Sequence, residues 1–320
     1  MAADVTTAAG ADLAAGLAAV LGATDVCDLT RLSGGASRET WRFVADGRPL
    51  ILQRQRSGDV RDMGVEAAVV RVAGTAGVPV PELIASSTDG SALGAAYMIL
   101  TAIDGETIAR KILRDDRFAK AREALPQQLG SALATLHSID PAAVPGLAAV
   151  DQVVQYRELL DTLGQPHPTF ELALCWLDEH RPPTTGSALV HGDFRLGNVI
   201  VGDDGLRAVL DWELAHVGDP MEDLGWLCVK AWRFGSRSPV AGIGDYGQLF
   251  DAYEAAGGAP VDADVVRWWE VLGTVKWGVM CIVQTSVHLN GMSRSHELAT
   301  IGRRVCENEY DVFLALDGRW

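Results

Sequence analysis

The chain has 320 residues, 48% of them apolar and 22% charged, a composition that builds a core and excludes a disordered protein. Twenty-seven basic residues against 42 acidic ones leave a formal charge of −15, which argues against binding a nucleic-acid backbone or a polybasic membrane contact. Five cysteines, odd in number and widely spaced (Cys27, Cys175, Cys228, Cys281 and Cys306), form no CxxC pair, so neither a disulfide framework nor a zinc site is expected.

Residues 1–22 are Ala-rich, with Asp4 and Asp12 and no basic residue, which does not fit a signal peptide. No apolar run reaches the roughly 18 residues of a membrane span, and a cytoplasmic protein is expected. Residues 26–33, 39–45 and 49–55 are short apolar stretches separated by Gly34-Gly35 and Asp46-Gly47, which predicts antiparallel strands. Residues 61–76 carry helical spacing ended by Gly77, and Val78-Pro79-Val80-Pro81 breaks the chain. Two further strands are predicted at 82–86 and 96–101. Beyond them the pattern turns helical, at 119–137, 151–163 and 170–179, and again from 221 onward, including 261–287 and 295–316. A strand-and-loop island at 188–212 interrupts it. The prediction is an α+β chain of two lobes, a small antiparallel β-rich N-lobe over 1–103 and a larger, mainly helical C-lobe over 104–320.

The island holds the chemistry. It reads His191-Gly192-Asp193-Phe194-Arg195-Leu196-Gly197-Asn198, a strand, a turn at Asp203-Asp204-Gly205, and a second strand ending in Asp211-Trp212-Glu213. A hairpin of that length sets Asn198 beside Asp211. An amide oxygen and a carboxylate are hard oxygen donors suited to Mg²⁺. Asp193, five residues before Asn198, points to the same place and can take a proton from an attacking hydroxyl. These are the parts of a phosphoryl-transfer site.

The HGD-x4-N pattern with its following Asp resembles the catalytic core of the aminoglycoside phosphotransferase and choline kinase families, which share the protein-kinase-like fold. Gly192 stands where protein kinases carry Arg, and Glu213 where they carry the glycine of DFG, so the resemblance points to a small-molecule kinase. Gly218-Asp219-Pro220 and Asp223-Leu224 resemble the family's downstream segment, in which the later Asp buttresses the catalytic loop. The resemblance implies ATP and Mg²⁺ as cofactors, Asp193 as the catalytic group, and Asn198 and Asp211 as metal ligands. The stretch from Leu32 to Glu39 resembles the glycine-bearing nucleotide loop, which implies phosphate contacts from Ser33, Gly34, Gly35 and Ser37. Residues 97–105 resemble the hinge, with backbone groups of Thr101 to Ile103 toward the adenine and Leu52 and Leu100 against the ring. One departure stands out. The chain has four lysines, the first being Lys111, so the phosphate-binding Lys of the third strand is missing. Arg54, or Gln53 if the register slips by one, takes that place, and Glu66 on the next helix matches its carboxylate partner. The Arg resembles the branch of kinase domains attached to acyl-CoA dehydrogenases, which implies a hydroxyacyl-CoA-like acceptor; an aminoglycoside-like acceptor stays open.

Two other readings compete. The missing Lys suits a nucleotide-binding pseudokinase without turnover. A metal-dependent phosphohydrolase could be built from His191, Asp193, Asp211, His216 and Asp219, but leaves the first lobe without a purpose. No nucleic-acid or membrane partner is expected, and His137 and His191 are read as structural.

Overall fold

The computed structural model describes residues 8–32, 38–56 and 61–319. Its N-terminal part is a five-stranded antiparallel sheet in the order β1-β2-β3-β5-β4, made of β1 (Val26–Arg31), β2 (Arg38–Ala45), β3 (Arg48–Gln55), β4 (Leu83–Ser87) and β5 (Tyr97–Thr101). The Asp46-Gly47 turn closes β2 onto β3, with Gly47 at φ +79, and pairs Trp41 with Leu52 and Glu39 with Arg54.

Each face of this sheet is covered by a helix. The α1 helix (Ala8–Leu21), which the Ala-rich composition had not disclosed, lays Leu13 and Leu17 on Trp41, Phe43, Leu50, Leu52, Tyr97 and Ile99. Burying each of these large side chains is worth roughly 1.5–3 kcal/mol. The opposite face receives α2 (Met63–Ala76), where Met63 and Ala67 meet Met98. Asp62 caps this helix through the Gly64 and Val65 N–H groups, and Gly77 ends it at φ +98. The covering helices therefore sort β3 by parity: Leu50, Leu52 and Arg54 lie on the α1 side, Ile51, Gln53 and Gln55 on the α2 side.

The remainder is mainly helical, built from α3 (Ala109–Arg114), α4 (Ala119–His137), α5 (Gln152–Leu163), α6 (Pro168–Glu179), α7 (Met221–Cys228), α8 (Tyr246–Ala255), α9 (Ala263–Leu289), α10 (His296–Ile301) and α11 (Arg304–Leu316). Two short ladders interrupt them: β6 (Ala188–Val190) with β9 (His216–Gly218), and β7 (Val199–Gly202) with β8 (Gly205–Val209). The α9 helix is the axis of this part, with Trp268, Val271, Leu272, Val275 and Val279 buried against α5, α6 and α11. The two parts are tied where the site forms. Glu106 and Val201 exchange backbone hydrogen bonds of 2.9 and 3.0 Å, and the Val209 N–H donates to the Pro79 carbonyl at 2.7 Å. Among the described residues no helix is long and apolar enough to cross a membrane, and all five cysteines are free.

Candidate active site

The chain leaves β6 at Val190 and turns at once. Gly192 adopts φ +76, and a Cβ there would overlap the Leu214 carbonyl oxygen, so glycine alone suits the position. The N–H groups of His191 and Gly192 donate to the two carboxylate oxygens of Asp223, at 2.7 and 2.9 Å. Asp223 is wholly buried and also meets His137 Nε2 at 3.0 Å. Burial works against its charge, yet the His137 contact and the backbone donors hold its carboxyl below the usual range. His137 is thereby a structural bridge, its Nδ1 lying 2.9 Å from the Tyr253 hydroxyl.

His191 is fully buried, and burial lowers its pKa against the pull of Asp223 and Asp193. Its Nδ1 accepts the Asp193 N–H at 3.2 Å, and its Nε2 sits 3.0 Å from the Leu210 carbonyl. That pattern requires the neutral Nε2–H tautomer. The ring thus links the backbone at Asp193 to the residue before Asp211. Gly192→Ala is expected to cost roughly 2–4 kcal/mol through strain and overlap, read as a lower urea midpoint. A midpoint equal to wild type would show that the turn tolerates a side chain.

Asp193 is 8% exposed and held on both oxygens. Oδ1 accepts from the Trp226 indole at 2.9 Å and from Arg195 Nε at 3.1 Å, and Oδ2 accepts from Asn198 Nδ2 at 2.6 Å. Asn198 Nδ2 also donates to the Asp193 carbonyl at 2.9 Å. Two acceptors fix that nitrogen, so the Asn198 Oδ1 is the atom left for a cation. The Val199–Val209 register and the Leu210 N–H to Asn198 carbonyl bond of 2.8 Å bring Asp211 alongside. Asp211 has φ +65, a strained backbone of the kind concentrated at functional sites. Asp211 is exposed, yet the surrounding protein mass, then the charges of Glu213, Asp193 and Glu66, push its carboxyl up to about 7, with Arg38 opposing. This donor set fits Mg²⁺. An amide oxygen and a crowded, under-neutralised carboxylate leave room for the waters and phosphate oxygens that Mg²⁺ keeps. Among the described residues no trio of His, Cys, Asp or Glu forms a closed metal cage.

The third-strand expectation needs correction. Arg54 does not face Glu66. It lies on the α1 side of the sheet, where Nη2 and Nε donate to Glu39 at 2.5 and 3.2 Å and Nη1 donates to the Leu93 carbonyl at 2.9 Å. Glu66 instead forms a two-pronged pair with Arg38 of β2, whose Nη1 donates to Oε1 at 2.5 Å. The same parity takes Leu52 away from the cleft and leaves Ile51 opposite Leu100 on the α2 side. In the hinge, the Thr101 N–H donates to the Glu82 carbonyl and the Ala102 N–H to the Pro49 carbonyl. Of Thr101, Ala102 and Ile103, the Ile103 N–H is the one without a hydrogen-bond partner among the described residues. Ser33, Gly34, Gly35 and Ser37 lie outside the described residues. Of the phosphohydrolase set, His216 and Asp219 are engaged elsewhere: His216 with Glu222 and the Leu214 carbonyl, Asp219 with Thr184, Thr185 and the Met221 N–H.

Sequence reasoning passed over the support behind Asp193. Lys276 of α9 is buried; its Nζ donates to the Gly192 carbonyl at 2.7 Å, lies 3.4 Å from Glu222 and 4.6 Å from the Trp226 ring centroid. Arg195 lies 4.8 Å from the Trp232 ring centroid. A lysine in the apolar run Thr274-Val275-Lys276-Trp277 was the available signal, since buried lysines have partners.

A buttressed Asp-x4-Asn loop beneath an antiparallel sheet defines a phosphotransferase of the kinase-like class. The chain belongs to the phosphotransferase enzyme family, whose model matches residues 28–267. It is 28% identical over 231 residues to acyl-CoA dehydrogenase family member 10 of Mus musculus, covering 68% of this chain and 21% of that protein. The chain thus spans about a fifth of that relative's length. Among solved structures, a protein of Ralstonia eutropha JMP134 assigned as an aminoglycoside phosphotransferase matches with TM-score 0.76 and 20% identity, over 96% of this chain and 98% of that one. A spectinomycin phosphotransferase in complex with ADP and spectinomycin matches with TM-score 0.66 and 13% identity, over 96% and 98%. Both likenesses are of fold.

Proposed function

We propose that the chain transfers the γ-phosphate of ATP to a hydroxyl of a small anionic acceptor, with Asp193 as the group that orients and deprotonates that hydroxyl. The observation that carries this reading is the tethering of both Asp193 oxygens, by Trp226, Arg195 and Asn198. A carboxylate so fixed meets one direction of approach, and phosphoryl transfer is mostly positioning and charge stabilisation. The hydroxyl proton passes to the Asp193 carboxylate as the new O–P bond forms, and ADP leaves with a phosphate monoester as product. Mg²⁺, when bound by Asn198 Oδ1 and Asp211, supplies neutralisation of the phosphate charge. The Ile103 N–H serves the adenine edge.

A charged cavity favours an anionic acceptor over a polycationic one. About 340 Å³ in volume, it is lined by Arg110, Arg114, Lys230, Arg233 and Arg304, against the carboxylates of Glu307 and Asp311. Lys230 pairs with Asp311, Arg304 with Glu307 and Arg233 with Glu270, so the positive surplus rests on Arg110 and Arg114, which have no carboxylate partner among the described residues. Arg110 and Arg114 sit on the helix after the hinge, and Lys230 follows the helix that sends Trp226 to Asp193. The phosphates of a hydroxyacyl-CoA suit the Arg110 and Arg114 edge of this cavity better than a polycationic aminoglycoside does.

The test is ADP release from Mg·ATP across hydroxyacyl-CoAs, aminoglycosides and choline-like alcohols. Release with the hydroxyacyl-CoAs supports the whole reading. Release with aminoglycosides alone overturns the acceptor class and keeps the reaction. Saturable Mg·ATP binding without ADP from any acceptor favours the pseudokinase, which the lack of a third-strand lysine motivates.

A further inference from the structure

Resting on the phosphotransfer reading above, we propose that Arg38 of β2, held by Glu66, is the cation that grips the nucleotide phosphates, so that this chain carries its phosphate clamp on the second strand.

The third strand has nothing to offer in that role. Gln53 occupies the cleft-side position and bears no charge, while Arg54 is turned to the far face and consumed by Glu39 and Leu93. Arg38 shares the cleft-side parity: it lies two residues from Thr40, which pairs with Gln53. It also directly follows the glycine-bearing stretch 33–37 in sequence.

Its surroundings are those of a functional cation. Arg38 is 5% exposed and Glu66 6%. Withdrawing both charges from water carries a desolvation penalty that such a pair does not reliably recover as stability. The two-pronged pair uses one N–H from each terminal nitrogen, which leaves three donors of the guanidinium. Nε is among them, buried and without a hydrogen-bond partner among the described residues. Beyond Glu66, the nearby charges acting on Arg38 are Glu213 and Asp211. Arg38 is therefore within electrostatic reach of Asp211, the carboxylate proposed for the metal, and on the α2 face of the sheet, from which it can reach phosphates that share a cation with Asn198 and Asp211. A guanidinium locked in orientation by a carboxylate presents its remaining N–H groups to phosphate as a rigid fork.

The experiment compares Mg·ATP with adenosine, which lacks phosphates, by titration calorimetry on the full chain, with thermal unfolding as the fold check. Arg38→Gln is expected to weaken Mg·ATP roughly 10- to 100-fold while leaving adenosine unchanged, the loss of a charged hydrogen-bonding partner. Adding Gln53→Lys, which returns a cation to the cleft side of the neighbouring strand, recovers most of the loss. Arg54→Gln changes neither ligand. Should the unpaired Glu66 unfold Arg38→Gln, the double variant Arg38→Met/Glu66→Met removes both charges together, a replacement that buried pairs tolerate, and is expected to show the same selective loss of Mg·ATP. Full Mg·ATP affinity in a folded Arg38 variant overturns the proposal. So does an equal loss of adenosine, which means a structural role, or a loss that follows Arg54 instead. These outcomes leave wild-type acceptor-dependent ADP release intact; absence of any nucleotide binding in wild type overturns the phosphotransfer reading and this proposal together.

Discussion

Asp193→Ala is expected to lower acceptor-dependent ADP release by roughly 10²- to 10⁴-fold, the range for loss of a positioned general base, with Mg·ATP affinity close to wild type. The separation of the two readouts follows from how the loop is held. Asn198 is anchored by two bonds, to the Asp193 side chain and to the Asp193 backbone carbonyl. The alanine variant keeps the carbonyl, so the Asn198 oxygen stays directed at the cation site. His191 and Gly192 remain fixed on Asp223, and Lys276 remains on the Gly192 carbonyl. Trp226 and Arg195 lose an acceptor, but Arg195 keeps its place over Trp232. What disappears is the carboxylate that meets the acceptor hydroxyl. Single-turnover ADP formation beside calorimetric Mg·ATP binding checks this, and turnover equal to wild type removes Asp193 from the chemistry.

The candidate catalytic loop was legible because its parts are close in sequence: Asp193, Asn198 and Asp211 flank one short hairpin, and a hairpin's register follows from its turn. The proposed phosphate clamp was not, because β3 is apolar on both faces. Leu50, Ile51 and Leu52 give no preferred side, and the side is decided by α1, a helix whose Ala-rich sequence carries little periodic signal. Once Leu13 and Leu17 cover Leu50 and Leu52, Arg54 follows them outward. Arg38 was in view in the Gly-rich stretch, but its partner Glu66 lies on another element, and only the packing of α2 against the sheet pairs them. The helices with clear stops were legible, as with Gly77 after α2, and so was the long apolar pattern that became α9. Lys276 shows the limit again: it acts on Gly192 across 84 positions of sequence, a distance that no local pattern spans.

Asp223→Asn is expected to lower stability at pH 7 by about 3–5 kcal/mol, the usual result of breaking a buried charged network on one side. The carboxylate serves three donors, the His191 and Gly192 N–H groups and His137. An amide offers a single acceptor oxygen and turns its NH₂ toward a donor, so a buried N–H is left unpaired. The pH dependence has a definite sign. Asp223 titrates lower in the folded protein than its ordinary value of 3.8. Its contribution is therefore complete above that unfolded value and is lost as the pH falls through the folded value. Urea midpoints of wild type and variant should differ most at neutral pH and converge as the medium is acidified below the ordinary carboxyl range. Equal midpoints at pH 7, or a gap that widens on acidification, contradict the assignment. A lower kcat in the same variant with nucleotide affinity retained would follow from the same geometry, because the bonds that hold Asp223 in the core are the bonds that aim His191 and Asp193.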